Sequence, residues 1–232
     1  MAKTKLIVAL DFDNLETALE LVDKVGSSVE WYKVGKQLFT LYGPATVQAL
    51  KERGKKVFLD LKFHDIPNTV AQAVRSALTI GADMTNVHAS GSEAMLTAAG
   101  EMAKEVNPDA ILTAVTVLTS MNQHELDCIG LEVTPEEQVV RLAKLTKACG
   151  VPGVVCSALE IAPLRKACGE DFVLVVPGIR PAGSAADDQK RIMTPAQAAE
   201  AGADYIVVGR PVTKAENPSA AADAITAELA SV

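Results

Sequence analysis

Short apolar runs rich in β-branched residues recur along the chain. Each is followed by a stretch in which apolar residues return every three or four positions. The runs occupy residues 6–12, 31–35, 56–62, 84–90, 111–118, 153–157, 172–179 and 205–210. Runs of this length without internal alternation are expected of strands buried on both faces, as in a parallel sheet. After the first run, Leu15, Ala18, Leu19, Val22 and Val25 keep helical spacing and predict an amphipathic helix packed outside that sheet. Three helical stretches stop at a glycine just before the next run, in "LKERGKKVFLDLK", "LTIGADMTNVHAS" and "AAEAGADYIVVGR". That is the usual chemistry of a helix C-terminus.

Eight strand-like runs alternating with helices predict a (β/α)8 TIM barrel, with residues 1–232 as one domain. An open, doubly wound sheet is the alternative. Two intervals between runs are longer than the rest. Their surplus lies in "TSMNQHELDCIGLEVTPEEQ" after the fifth run and "RPAGSAADDQKRIMTP" after the seventh. Both sit where barrel enzymes build their sites, and both are candidate lids.

Composition narrows the function. The 29 acidic residues outnumber the 22 basic ones, for a net charge of −7, and no basic run stands out, so nucleic acid is not expected as a partner. A phosphate on a small ligand remains compatible with an acidic chain. Cys128, Cys149, Cys156 and Cys168 form no CxxC or Cys/His cluster and read as reduced, mostly buried thiols. The apolar stretch 6–10 stops at Asp11, too short for a signal sequence or membrane span, and the expected location is the cytoplasm.

Charge appears where these strands should be apolar. The first run ends at Asp11, the second carries Lys33, and the third ends "FLDLKFHD" with Asp60, Lys62 and Asp65. Side chains two apart on a strand share a face, so Asp60 and Lys62 are expected to point the same way. Buried charges of opposite sign are costly unless paired, which suggests an array of Lys33, Asp60, Lys62 and Asp65. Neighbouring carboxylates favour an ammonium at Lys62 and suit it to act as a general acid. A salt-bridge cluster with only a structural role is the bland alternative.

The seventh run leads into "VVPGIRPAGS" and the eighth into "VVGRPV", the two places where barrels commonly hold phosphate. Gly209 allows close approach of the backbone, and Arg210 is the candidate anchor, with Arg180 at the start of the long segment and Gln189 farther along it. Thr119 and Ser120 stand at the end of the fifth strand, just past the run, and offer hydroxyls to a base edge. His88 reads as a hydrogen-bonded residue at the barrel mouth and His64 as a loop residue. A metal triad would need His124 as well and is not expected.

The stretches "YKVGKQLFTLYG", "VFLDLKFHDIPNTV", "NVHASG", "VTVLTSM", "GVVCSA", "PGIRPAGS…DQKRIMTP" and "DYIVVGRPVT" occur in order over essentially the whole chain. In them the sequence resembles the orotidine 5′-phosphate decarboxylase family of bacterial type, with no departure at a motif position. The resemblance implies conversion of orotidine 5′-monophosphate to uridine 5′-monophosphate and CO2, without metal or cofactor. It implies Lys62 as proton donor to C6, with Asp60, Asp65 and Lys33 completing the charged array. It further implies Asp11 and Lys33 at the ribose, Thr119 or Ser120 at the pyrimidine, and Arg180, Gln189, Gly209 and Arg210 at the phosphate. Ile66 would also line the substrate site. Asp65 and Thr69 would reach the neighbouring site of a homodimer. Two other readings fit the residues: a magnesium-dependent relative acting on sugar phosphates, and a barrel that binds nucleotides without turnover.

Overall fold

The computed structural model describes residues 4–181 and 193–232. Eight parallel strands close into one barrel in sequence order: β1 (Lys5–Leu10), β2 (Trp31–Gly35), β3 (Lys56–Phe63), β4 (Met84–His88), β5 (Ile111–Val115), β6 (Gly153–Val155), β7 (Val173–Pro177) and β8 (Tyr205–Val208). β8 pairs back onto β1, which rules out the open doubly wound sheet. Around the barrel lie α1 (Leu15–Val25), α2 (Lys36–Tyr42), α3 (Ala45–Glu52), α4 (Pro67–Thr79), α5 (Glu93–Val106), α6 (Gln123–Cys128), α7 (Pro135–Ala148), α8 (Ile161–Cys168), α9 (Pro195–Glu200), α10 (Arg210–Thr213) and α11 (Pro218–Ala230).

Local chemistry accounts for the helix limits. Asn14 caps α1 by accepting from the Thr17 N–H at 2.9 Å, with Glu16 in the first turn and Lys24 in the last, both favourable to the helix dipole. Thr134 and Glu137 cap α7 reciprocally, and Pro135 occupies its first turn. The three glycines read as helix stops take positive φ: 70° at Gly54, 105° at Gly81 and 101° at Gly202.

Period-two alternation sorts the strand residues into two cores. Ile7, Ala9, Trp31, Phe58, Met84, Val175 and Val207 fill the barrel interior. Val8, Leu10, Tyr32, Val34, Val57 and Leu59 have the opposite parity and pack in the larger core with helix residues such as Leu21, Val22 and Val74. Continuing the inward parity toward the strand ends leads from Ala9 to Asp11, from Trp31 to Lys33, from Phe58 to Asp60 and from Val207 to Gly209. The fold thus delivers polar residues to the mouth on the parity that fills the barrel with apolar ones below.

The other end is closed by a repeated device. In each "Gly–Ala–Asp" turn the aspartate accepts the N–H of the preceding strand: Asp83 from Val57 and Asp204 from Leu174, both at 2.8 Å. Lys51 and Lys56 pair with Asp83, and Arg165 with Asp204.

The stretch after the fifth strand, a candidate lid, contains α6, whose Asn122–Glu125 capping box fixes its start. One expectation needs correction. The cysteines are not mostly buried: Cys156 and Cys168 are, Cys149 is half-buried and Cys128 is exposed. No helix among the described residues is long and apolar enough to cross a membrane.

Candidate active site

At the C-terminal mouth the charged strand ends form a chain of alternating sign. Asp11 Oδ1 lies 3.1 Å from Lys33 Nζ, Lys33 Nζ lies 3.5 Å from Asp60 Oδ2, and Lys62 Nζ lies 2.5 Å from Asp60 Oδ1. Gly35 makes room for the first pair, since a Cβ there would lie 3.1 Å from Lys33 Nζ and 3.4 Å from Asp11 Oδ1. The Asp60 side chain is only 12% exposed and that of Lys33 13%. Removing one partner would strand the other's charge in a poorly solvated place. Burial pushes the Asp60 carboxyl up. The ammonium groups of Lys33 and Lys62, with hydrogen bonds from Lys62 and Asn86, outweigh it and hold Asp60 below the ordinary carboxylate range.

Lys62 reaches Asp60 by a route that simple strand alternation does not foresee. Its backbone is left-handed, with φ of 57°, a conformation that costs a residue with a Cβ about 1–2 kcal/mol. The β3–β4 register breaks here. Leu59 pairs with Thr85 and Phe63 with Val87, so Asp60, Leu61 and Lys62 stand opposite Asn86 alone. The Asn86 side chain, fully buried, fills the gap: its Oδ1 accepts the Lys62 N–H at 2.8 Å and its Nδ2 donates to Asp60 Oδ1 at 2.7 Å. Sequence reasoning missed Asn86, because its importance depends on an irregularity that no local pattern announces.

Two cavities meet at this chain of charges. One of about 210 Å³ has Lys33, Asp60, Lys62 and Thr119 in its walls and Phe58 and Val155 among its apolar lining. The other, about 490 Å³, is lined by Asp11, Gln37, Gly209, Arg210, Thr213 and Lys214. The Asp11–Lys33 pair joins them. Gln37 and Lys214 were not anticipated from the sequence. A wider groove of about 550 Å³ near Asp23, Tyr42 and Arg53 lies outside the barrel mouth; its Asp23–Arg53 ion pair is solvated, and it has no comparable array.

The remaining expected residues are placed less centrally. Ser120 is exposed, whereas Thr119 is half-buried in the smaller cavity. Arg180 is buried beyond β7, where its N–H donates to Met193 O at 3.0 Å. Gln189 lies outside the described residues, as does most of the segment expected as a lid after the seventh strand. Asp65, Ile66 and Thr69 are exposed around the start of α4. Asp65 Oδ1 accepts its neighbour's N–H, from Ile66 at 2.7 Å, and within one chain it forms no ion pair with Lys33 or Lys62. The array inside a single chain therefore runs through Asp11 rather than Asp65.

His64 and His88 stack loosely beside the mouth, ring centroids 5.5 Å apart. Burial, then His64, Lys36 and Lys62, push the His88 imidazole down; Asp60 opposes them less strongly. Among the described residues no three His, Cys, Asp or Glu side chains gather as metal ligands.

Known proteins are similar to this chain over nearly its whole length. A chain of Aliivibrio fischeri named orotidine 5′-phosphate decarboxylase is 55% identical, and one of Vibrio campbellii with the same name is 54% identical; each match covers 100% of both chains. The solved structure of orotidine 5′-phosphate decarboxylase from Lactobacillus acidophilus superposes with a TM-score of 0.87 at 40% identity, covering 97% of this chain and 98% of that one. The model of the orotidine 5′-phosphate decarboxylase / HUMPS family matches residues 4–225, and the chain belongs to that family.

Proposed function

We propose that this chain is a cytoplasmic enzyme of pyrimidine biosynthesis, with residues 1–232 as one catalytic domain. It decarboxylates orotidine 5′-monophosphate to uridine 5′-monophosphate, with Lys62 protonating C6. The observation that carries the reading is the Asp11–Lys33–Asp60–Lys62 array, with Lys33 and Asp60 largely buried, set between an apolar-lined cavity and one containing Arg210.

The reaction explains why such an array is needed. Breaking the bond from C6 to the carboxylate releases CO2 and leaves the electron pair in an in-plane orbital that the ring cannot delocalise. A fixed ammonium beside that carbon stabilises the developing charge, and a proton from Lys62 then completes the product. The lysine regains its proton from solvent. Asp60 holds that ammonium and, placed near the substrate carboxylate, also disfavours the ground state.

The two cavities fit the two ends of a nucleotide. The pyrimidine occupies the smaller one, with Thr119 at its edge and Ser120 nearby. Asp11 and Lys33 bind the ribose hydroxyls where the cavities meet. Gly209 and Arg210 hold the phosphate, and Arg180 and Gln189 complete the anion site on closure. Phosphate binding energy then helps organise the reacting end, far from the phosphate itself. Asp65, Ile66 and Thr69 serve the site of a second copy. Ile66 supports this assignment: it is 67% exposed, a large apolar side chain at the mouth with nothing covering it in one chain.

The test is direct. Purified protein should consume orotidine 5′-monophosphate, followed by loss of its absorbance, with the same rate in EDTA. Abolition by EDTA and restoration by magnesium would favour the sugar-phosphate relative. Binding of uridine 5′-monophosphate without turnover would leave a nucleotide-binding barrel.

A further inference from the structure

We propose that Asn86 is a positioning residue for the decarboxylation, holding Lys62 and Asp60 in reacting geometry through the two ends of one side-chain amide. The inference rests on the function proposed above and adds a residue to its machinery. Three residues of β3 face one of β4 at this point, so the backbone ladder cannot serve them all. An amide side chain carries one carbonyl acceptor and an NH2 donor, as a peptide group does. Asn86 uses the acceptor on the Lys62 N–H and the donor on Asp60 Oδ1, the oxygen that also receives the Lys62 ammonium.

The lysine is thereby held at both ends. Its left-handed backbone is fixed by Asn86 directly, and its Nζ is fixed through a carboxylate that Asn86 orients. Neither contact involves the cavity that contains Arg210. Loss of the amide should therefore affect proton delivery far more than nucleotide binding, since misplacement of a reacting group by about 1 Å can cost about 100-fold in rate.

The charged and titratable groups around Asn86 are Asp60 and Lys62 of β3 in direct contact, Lys33 of β2 beyond Asp60, and His88 on the same face of β4 with His64 against it. Across β5 its register partner is the uncharged Thr113. Asn86→Asp consequently sets a carboxyl against the Asp60 carboxylate. Two such neighbours resist being ionised together. In its protonated form the new carboxyl again offers one donor and one acceptor, matching the amide it replaces.

Steady-state kinetics with orotidine 5′-monophosphate and titration with uridine 5′-monophosphate test the proposal, on protein whose folding is checked by thermal melting. Asn86→Ala should lower kcat about 100-fold while product affinity stays within about threefold of the parent. Asn86→Asp should regain activity relative to the parent as pH falls from about 8 to about 6, a profile that a purely structural role would not produce. Asn86→Asp is nearly isosteric and keeps the test open if Asn86→Ala does not fold. The proposal is overturned by near-parental kcat in Asn86→Ala, by parallel loss of turnover and product affinity, or by a flat activity ratio across pH for Asn86→Asp. A parent chain that never consumes the substrate sinks the decarboxylase reading itself, and this role with it.

Discussion

Lys62 Nζ meets Asp60 Oδ1 at 2.5 Å from a backbone that is left-handed at Lys62. The ion pair and the unfavourable φ belong to one residue, and substitution can separate them. Lys62→Ala and Lys62→Gly both remove the ammonium, and both should lose turnover while retaining affinity for uridine 5′-monophosphate. They differ in the backbone. Glycine accepts φ near 57° without strain, whereas alanine keeps the Cβ penalty, so Lys62→Gly should be more stable by about 1 kcal/mol. For a chain of this size that is a melting temperature about 2–4 °C higher. Equal melting temperatures would show that the left-handed turn is not strained. Substantial turnover in either variant would remove Lys62 from the chemistry.

Arg210 lines the larger cavity with Gly209 and Asp11, on the far side of the Asp11–Lys33 pair from Lys62. Its role should accordingly appear in binding. A charge-assisted hydrogen bond contributes about 1.5–3 kcal/mol, so Arg210→Ala should raise KM about 10- to 100-fold. Because that binding energy also helps organise the reacting end, kcat should fall as well. An unchanged KM would mean that the phosphate is held elsewhere.

Acid should weaken the fold in two stages. The His88 imidazole is held below its ordinary value of 6.5 by burial and by His64, Lys36 and Lys62. Above that value the ring is neutral in both folded and unfolded chains, and its contribution is fully present. As pH falls the unfolded chain takes the proton first, so this stability is lost until the folded ring is protonated too. Asp60 and Asp83, both held below their ordinary value of 3.8, behave in the same direction at lower pH. Urea unfolding from about pH 7.5 to about pH 5 should therefore give a declining midpoint for the parent and a flatter one for His88→Gln. Identical slopes would exclude His88 as the source.

The sequence was most informative where one physical rule governs a residue. Buried parallel strands read as continuous apolar runs, so all eight were located, and the charges of Asp11, Lys33 and Asp60 stood out against them. Strand ends were less clear. The run 111–118 stays largely apolar, yet β5 stops at Val115, because Val117 and Leu118 leave the ladder to line the smaller cavity. Asn86 looks like any polar residue on a strand until the neighbouring strand bulges against it. Asp65 illustrates a different limit: spacing put it beside Lys62, but the single chain turns it outward at the start of α4. The start of α6 was available from the sequence, since Asn122 followed by Glu125 is a capping pattern.

The exposed position of Asp65 leads to a mixing experiment. If its carboxylate acts in the site of a second copy, Lys62→Ala and Asp65→Ala each disable every site of their own homodimers. In a mixed dimer, one site combines an intact Lys62 from one chain with an intact Asp65 from the other, and the second site lacks both. Random reassociation makes half of the dimers mixed, with one working site in each, so activity should return to about one quarter of the parental level. Co-refolding equal amounts of the two variants and assaying orotidine 5′-monophosphate turnover checks this, with each variant refolded alone as the control. If both controls are inactive and the mixture stays inactive too, Asp65 serves the site of its own chain. The start of α4 would then have to move to bring its carboxylate to Lys62.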